Sequence, residues 1–273
     1  MSASVLSTLA VSEQHGVLSV LLQRPQARNA MTLEMVRELS SVFVAAEAQG
    51  DLRVLVLRGA GGHFCAGADV KDLLRARHEP VTSTRNPVAE TNAAFGHLCA
   101  SFGRLSLPTV CVLEGSVLGG GLGLACAADI ALGSDTASFG LPETSIGVIP
   151  AQIAPFLVER LGFSQAKRLA LMGAKVDARE ALTIGLIHEL HAGGPALEQG
   201  LAALLERLLR CAPQATRATK RLLLRTREQP AESLIEYASL VFAAQLNSDE
   251  GAEGTRAFVE QRPPAWRPVR SEE

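Results

Sequence analysis

The chain has 273 residues, of which 47% are hydrophobic and 20% charged, a composition typical of a globular protein. Its formal net charge is only -2 and it has no block of like charge, which argues against nucleic-acid binding. It lacks both a signal-peptide pattern and a run of about 18 uncharged apolar residues, so we expect no membrane span. Five cysteines without a C-x-x-C pair predict reduced thiols, a cytoplasmic protein and no structural zinc.

Short strands alternate with helical patterns along the first part of the chain. Strands are predicted at residues 17–22, 54–57, 109–113 and 130–132, and an amphipathic helix is predicted at residues 32–48. Alternation of this kind favours an α/β fold, in which helices cover the faces of sheets.

Two shifts of composition interrupt this pattern. Residues 75–87 are polar and punctuated by proline, which predicts a loop or a mobile flap. After the second shift, at residues 190–195, helical spacing dominates in segments at residues 196–211, 213–227 and 233–247. Three such helices are too few to bury their apolar faces alone. We therefore divide the chain into a core, residues 1–192, and a helical region, residues 193–273, that packs on the core and on a neighbouring subunit.

The densest glycine cluster is EGSVLGGGLGLACAAD, at residues 114–129. Glycines after a strand let backbone N–H groups approach a ligand closely, and a helix start adds partial positive charge. The spacing does not complete G-x-G-x-x-G, and the cluster lies mid-chain, so a dinucleotide site is not indicated. A tight turn that serves only close packing explains the cluster equally well.

A second glycine-rich loop, GAGGHFCAGADV at residues 59–70, ends at a helix start predicted at Asp69. Two such loops can bring two backbone N–H groups to one point and form an oxyanion hole. Glu143 lies in a third, apolar segment, where burial would disfavour its charged form, as suits a general base near neutral pH. The alternative for this glutamate is a helix cap or an exposed surface position.

Several of these blocks together resemble the crotonase, or enoyl-CoA hydratase/isomerase, superfamily. They are AGAD at residues 66–69, LGGGLGL at 118–124, GLPETSIGVIP at 140–150, RPQARNAMT at 24–32, DAREALTIGLIHEL at 177–190 and EGTRAFVEQRPPAW at 253–266. The resemblance covers nearly the whole chain. It implies stacked β-β-α turns that form a two-sheet α/β core, and a C-terminal helical region that mediates a homotrimer or a dimer of trimers.

The resemblance also implies roles for single residues. The backbone N–H groups of Ala68 and Gly120 would form the oxyanion hole, and Glu143 would be the acid–base residue. The positions expected to contact the coenzyme A thioester are Ala27, Arg28, Ala66, Gly67, Ala68, Asp69, Val70, Gly119, Gly120 and Gly123. Coenzyme A is then a carrier on the substrate, and no resident cofactor or metal is expected.

One position departs from the best-known hydratases, in which two glutamates grip one water. Gly123 stands where the first glutamate is expected, which leaves Glu143 alone. One carboxylate suffices for a Δ3,Δ2-enoyl-CoA isomerase, which moves a proton between two carbons. The run IPAQIAPFLVERLG, at residues 149–162, instead resembles bacterial hydratases of 3-branched glutaconyl thioesters, such as isohexenylglutaconyl-CoA and 3-methylglutaconyl-CoA hydratases of acyclic-terpene and leucine catabolism.

We therefore expect a hydratase that acts on a branched, carboxylated enoyl-CoA. The isomerase is the alternative, and a crotonase-fold binding protein without turnover is the least favoured reading. A distal carboxylate on the substrate needs a cation or several hydrogen-bond donors, because a buried unpaired charge costs several kcal/mol. Candidates for this role are Arg75, Arg77, Arg85, Asn92, His97 and Gln152.

Overall fold

A computed structural model describes residues 6–267 of the chain. The strands of this part are β1 (Leu9–Gln14), β2 (Val17–Leu22), β3 (Val54–Gly59), β4 (Thr109–Leu113), β5 (Ser116–Leu118), β6 (Ile130–Ser134), β7 (Ser138–Gly140), β8 (Lys175–Asp177) and β9 (Glu189–His191). Its α-helices are α1 (Leu33–Ala48), α2 (Val70–His78), α3 (Pro87–Arg104), α4 (Gly120–Ala127), α5 (Ala154–Met172), α6 (Ala178–Thr183), α7 (Pro195–Leu209), α8 (Pro213–Arg225), α9 (Ala231–Leu246) and α10 (Asp249–Val259). Short 3-10 turns occur at Pro25–Ala27 and Thr144–Ile146.

Two sheets form the centre of the molecule, as the predicted α/β fold requires. The larger sheet has six strands in the order β1-β2-β3-β4-β6-β9, and only β1 runs antiparallel to its neighbour. The smaller sheet has three strands in the order β5-β7-β8, in which β5 and β7 are parallel. The four predicted strands are confirmed, although β3 and β6 each extend two residues further than predicted.

The first predicted helix is confirmed, with a cap that explains where it begins. Thr32 stands before α1 in extended conformation, and its side chain accepts a hydrogen bond from the backbone N–H of Met35 at 3.1 Å. This bond satisfies one of the N–H groups that the first turn of a helix leaves without a partner.

The predicted flap at residues 75–87 is only partly correct. Helix α2 continues to His78 and α3 begins at Pro87, so the irregular stretch is residues 79–86. Asp69 caps α2 through a bond from the N–H of Lys71 at 3.0 Å, and an ion pair at 3.0 Å joins Arg75 to Asp72 along its surface. Capping and charge pairing thus support a helix that has little apolar periodicity.

Alternate residues of the central strands face two separate apolar clusters. Leu55, Leu57, Cys111 and Leu113 join the main core, which helices α1, α3, α4 and α5 also enter. The residues between them, Val54, Val56, Val110 and Val112, pack against Leu197, Leu201 and Leu204 of α7. This is the two-residue period of strands that are buried on both faces.

The C-terminal helices attach to the core through buried cations as well as apolar contacts. Arg217 on α8 donates to Oγ of Ser106 and to the carbonyl of Leu52, and Lys220 donates to Asp129. The division of the chain near residue 193 stays a prediction, and residues 1–5 and 268–273 of its two parts lie outside the described residues. Within residues 6–267, the structure contains no helix long and apolar enough to cross a membrane.

Candidate active site

The two glycine-rich loops meet beside strand β5. Residue 65 forms a bridge with Val117, and Leu118 donates its N–H to the carbonyl of Cys65 at 2.9 Å. Gly67 has φ +97, and a Cβ there would lie 3.2 Å from the carbonyl oxygen of Leu118. Glycine therefore allows the first loop to adopt this conformation directly against the second.

The backbone N–H of Ala68 is left free by the way its loop is paired. Met31 donates to the carbonyl of Gly67 at 2.8 Å, and Asp69 donates to the carbonyl of Met31 at 2.9 Å, as expected for a parallel bridge between Met31 and Ala68. The N–H of Ala68 itself points away from this bridge, and it finds no acceptor within residues 6–267. It is thus available to a ligand.

Gly120 offers a second backbone donor without an acceptor among the described residues, for a different reason. It is the first residue of α4, and the first turn of a helix has no acceptors for its own N–H groups. The first bond of this helix runs from the N–H of Gly123 to the carbonyl of Gly119 at 3.0 Å. The positive end of the helix dipole is also at this point, which favours negative charge on a bound oxygen.

The sheet brings Glu143 to the same place. Strands β5 and β7 are parallel, with Leu118 opposite Gly140, so the residues that follow each strand lie side by side at one edge. Gly119 has φ +50, and a Cβ at this position would lie 2.8 Å from Oε1 of Glu143. The carboxylate therefore sits against the turn that precedes Gly120.

The Glu143 side chain is partly buried and short of partners. Its Oε2 atom is buried and has no hydrogen-bond partner in the described part of the chain. Burial raises the pKa of this carboxyl, and a backbone hydrogen bond opposes the change only in part. Although Glu143 precedes the 3-10 turn at Thr144–Ile146, its side chain makes no capping bond there. The structure therefore removes the helix cap as an alternative, and the general base stays a prediction.

The loop at residues 66–69 is braced by the predicted coenzyme A turn. The carbonyl of Arg28 accepts the N–H of Ala66 at 3.0 Å, and Arg24 forms an ion pair with Asp69 at 2.9 Å. Although partial burial opposes ionisation of Asp69, hydrogen bonds from Arg24 and from the N–H of Lys71 hold its pKa below the usual value. Ala27 is the last residue of the adjoining 3-10 turn. The structure thus brings the predicted residues 27–28 and 66–70 together.

Asn29 is a supporting residue that the sequence analysis missed. It is fully buried, accepts the N–H of Arg24 at 2.9 Å and donates to the carbonyls of Ala60 at 2.9 Å and His63 at 2.7 Å. It joins the first turn to the glycine-rich loop at residues 59–70. Its φ of +56 belongs to the left-handed region, which asparagine tolerates better than most residues. The sequence feature that could have identified Asn29 is an Arg-Asn pair directly after a turn that begins with proline.

Gly123 is covered by a side chain from the loop before α5. It is buried, and a Cβ at this position would overlap Cγ2 of Ile153. Phe95 of α3 covers the other side of the turn, because a Cβ at Gly120 would lie 3.1 Å from its ring. Sequence reasoning missed both Phe95 and Ile153, since nothing in the pattern of α3 or of residues 149–162 identifies which apolar residues reach α4.

Four of the six candidates for binding a distal carboxylate already have polar partners within the described part of the chain. Arg75 is paired with Asp72, and Arg85 with both Glu79 at 2.9 Å and Glu90 at 3.2 Å. Nε2 of Gln152 donates to Oδ1 of Asn92 at 2.7 Å. The remaining two, Arg77 and His97, are exposed and make no ion pair with the residues that the structure describes.

Two backbone donors without acceptors among the described residues, a partly buried carboxylate and a braced loop thus lie together at one edge of the smaller sheet. The enoyl-CoA hydratase/isomerase family model matches residues 12–268, and the chain belongs to this family. Its fold is accordingly the crotonase fold, and it is an enzyme of the hydratase-lyase type.

Individual relatives agree with this placement. The (E)-benzylidenesuccinyl-CoA hydratase of Thauera aromatica is 30% identical over 95% of this chain and 98% of its own. Among solved structures, Pseudomonas aeruginosa AtuE is 48% identical with a TM-score of 0.93, covering 96% of this chain and 100% of that one. An enoyl-CoA hydratase/isomerase from Marinobacter aquaeolei is 46% identical with a TM-score of 0.93, covering 96% and 99%.

Proposed function

We propose that this protein adds water reversibly across the 2,3 double bond of a branched, carboxylated enoyl-CoA of the 3-substituted glutaconyl type, isohexenylglutaconyl-CoA being one example. The observation that carries the proposal is the Glu143 carboxylate, whose Oε2 is buried without a partner among the described residues and whose Oε1 lies against Gly119. A base in this position lies beside the turn that ends in the free N–H of Gly120.

The proposed reaction uses one carboxyl group for both proton transfers. Glu143 accepts a proton from water as the water oxygen bonds to C3, and electron density moves to the thioester oxygen. The N–H groups of Ala68 and Gly120 hold that oxygen as it becomes negative, and backbone donors need no reorganisation to do so. The protonated Glu143 then returns its proton to C2, so that water is added and the enzyme is regenerated. Coenzyme A is the carrier on the substrate, and no resident cofactor takes part.

The carboxylated substrate is supported by the relative from Thauera aromatica, whose name specifies the thioester of a dicarboxylic acid. Ile153 over Gly123 also gives this site an apolar side chain where a second acid would project. Because Arg75 and Arg85 already have acidic partners, Arg77 and His97 are the better candidates for the distal carboxylate.

Turnover of a charged and an uncharged substrate tests this proposal. Wild-type protein should hydrate 3-methylglutaconyl-CoA in preference to 3-methylcrotonyl-CoA. At least one single Ala variant of Arg75, Arg77, Arg85, Asn92, His97 or Gln152 should lose the charged substrate selectively. If wild type prefers the uncharged thioester, or every variant affects both alike, the glutaconyl assignment is wrong and a generic enoyl-CoA activity remains.

The Δ3,Δ2-enoyl-CoA isomerase is a second candidate, because Glu143 has no second acid at Gly123 and a single carboxyl can shuttle one proton. Incubation with crotonyl-CoA, a 3-enoyl-CoA and 3-methylglutaconyl-CoA separates the two activities. Hydration of the glutaconyl thioester alone supports our proposal. Migration of the double bond in the 3-enoyl-CoA, without hydration, supports the isomerase.

We also propose that the chain assembles as a homotrimer or as a dimer of trimers. Large apolar side chains of α9 and α10 are exposed, among them Leu240, Phe242 and Phe258, the last with 85% of its surface accessible. Exposed apolar residues in one region are typical of a subunit contact. Light scattering in solution distinguishes three copies from six, and a monomer would contradict the proposal. The cytoplasmic location stays a prediction from the cysteines.

A further inference from the structure

Two consecutive residues of the loop before α5 are seated on glycines of two different helices. Gln152 lies on Gly96 of α3, and Ile153 lies on Gly123 of α4. At each glycine a Cβ would overlap the side chain above it. Ile153 is buried, so a Cβ at Gly123 would force this part of the loop to shift, whereas the flexible Gln152 side chain could move away from a Cβ at Gly96.

An exposed hydrogen bond to α3 also holds these two residues, Gln152 and Ile153, in place. Nε2 of Gln152 donates to Oδ1 of Asn92 at 2.7 Å. Asn92 and Gly96 are four residues apart on α3 and therefore lie on one face of the helix. Ile153, by contrast, is only 3% exposed. An exposed polar contact and a buried apolar contact thus fix neighbouring residues of one loop.

Apolar side chains cover α4 at Gly120 and again one turn further along, at Gly123. Gly123 is one turn further along α4, so Ile153 covers the same helix just beyond the donor. Phe95, the residue before Gly96, packs on Gly120 itself. The acyl chain of a thioester held at Gly120 would therefore meet apolar surface fixed by contacts with α3.

We propose that Ile153 is a specificity-determining residue that bounds the space for the C3 substituent of a branched acyl group, and that the Gln152–Asn92 hydrogen bond is the positioning element that keeps it there. The inference rests on the acyl-CoA site proposed above. It assigns the neutral pair a role in shape recognition, in place of direct contact with a distal carboxylate. The absence of a side chain at Gly123 then leaves room for Ile153 to pack against α4.

The test measures binding of saturated thioesters, which needs no turnover. Calorimetry should show that wild type binds 3-methylbutyryl-CoA more tightly than butyryl-CoA, since one methyl group that fills an apolar space is worth about tenfold or more. Gln152→Leu and Asn92→Leu remove the hydrogen bond and should reduce that preference several-fold. Asn92→Asp is the matched control, because it keeps an acceptor for Nε2 of Gln152 and should keep the preference.

A double-mutant comparison shows whether the pair acts through the isoleucine. Ile153→Ala should itself lower the preference, and adding Gln152→Leu to it should have no further effect, because residues that act as a unit are not additive. Equal binding of both thioesters by wild type, an Asn92→Asp variant as impaired as Asn92→Leu, or additive effects would each overturn the inference. Absence of hydration with an intact binding preference would instead reject the proposed function and leave this inference standing.

Discussion

The candidate active site and the contact between helix α8 and the core both bury polar groups, but the two regions differ in how those groups are hydrogen-bonded. Under α8, the buried Arg217 donates to Ser106, to Leu52 and to the carbonyl of Gln49, and Lys220 donates to Asp129 and Leu107. At the active site, Oε2 of Glu143 is buried without a partner in the part of the chain that the structure describes.

The difference separates stability from function. A buried polar group without a partner costs about 1 to 3 kcal/mol, so an unpaired carboxylate persists only where the rest of the fold outweighs its cost. The paired cations under α8 are part of the compensation, because they tie the C-terminal helices to the core. Substitutions at the two places should therefore have opposite consequences for turnover and for the free energy of unfolding.

Replacement of the base should have the largest effect on turnover. Glu143→Gln keeps the shape of the side chain and removes its ability to accept a proton, so kcat should fall by about a hundredfold or more. Affinity for a saturated acyl-CoA should stay close to that of wild type. Steady-state kinetics and calorimetry measure the two quantities, and retention of most of the activity would remove Glu143 from the mechanism.

Loss of an oxyanion donor should have the next largest effect. Gly120→Pro deletes the N–H, and such a donor is worth about 3 to 4 kcal/mol in acyl chemistry, or a loss of roughly 100- to 1,000-fold in kcat. Gly120→Ala is the control, since it keeps the N–H and only presses a Cβ against Phe95 at 3.1 Å. A folded proline variant with the kinetics of the alanine variant would show that the oxyanion is held elsewhere.

At the contact between α8 and the core, a substitution should change the free energy of unfolding but not the turnover. Arg217→Met leaves the carbonyl of Leu52 and the hydroxyl of Ser106 without this donor, so the free energy of unfolding should fall by about 3 kcal/mol. Denaturant titration measures the loss, and kcat per folded molecule should equal that of wild type. Arg221→Met, at an exposed position of the same helix, should leave both quantities unchanged.

The pH dependence of turnover and that of the free energy of unfolding should have opposite signs at Glu143. Turnover needs the ionised carboxylate, so kcat/KM should fall as the pH drops through a pKa above the ordinary value of 4.5. The pKa of Glu143 is higher in the folded protein than in the unfolded one. Ionisation of this group therefore lowers the free energy of unfolding above the pKa of the unfolded state, and the lost stability returns as the pH falls through the pKa of the folded state. Glu143→Gln should therefore unfold less readily than wild type near pH 8, and the difference should vanish below about pH 4. A Gln variant less stable than wild type near pH 8 would contradict this account.

Much of the architecture was predictable because it depends on local patterns. Strands β2 and β4 match their predicted bounds, since buried apolar runs between turn residues leave few alternatives. The start of α1 was also correct, because Thr32 is a good cap. By contrast, α2 was partly mistaken for a flap, because its stability comes from Asp69 and ion pairs rather than from an apolar stripe.

The site was less predictable, because its parts come from separate elements. The glycine loops and Glu143 could be selected from their residue types and from the family resemblance, and the structure places Glu143 beside Gly119. The packing of Ile153 on Gly123, of Phe95 on Gly120 and the brace made by Asn29 could not be selected. Each depends on a contact between distant segments that leaves no periodic signal in either.

The smallest effect is expected at the Arg24–Asp69 ion pair. This pair shares a feature with each region, because it is a satisfied polar contact, as under α8, and it supports the active-site loop. Its side chains are 20% and 12% exposed, so the pair is partly shielded from water. Asp69→Asn keeps an oxygen for the N–H of Lys71 and loses the charge. The cost should be about 1 kcal/mol, felt as a KM about fivefold higher with kcat within about twofold, because the loop at residues 66–69 is less firmly held for binding.

The control for this prediction is Arg75→Gln, which breaks the ion pair with Asp72 on the same helix. Arg75 is 74% exposed, so its pair contributes little, and the variant should have the KM of wild type for 3-methylcrotonyl-CoA, which lacks the distal carboxylate that Arg75 is a candidate to bind. Equal increases of KM in both variants would mean that the helix as a whole, and not the contact with Arg24, determines the position of Ala68. A fall in kcat with unchanged KM for Asp69→Asn would instead show that the ion pair orients the oxyanion donor in the transition state.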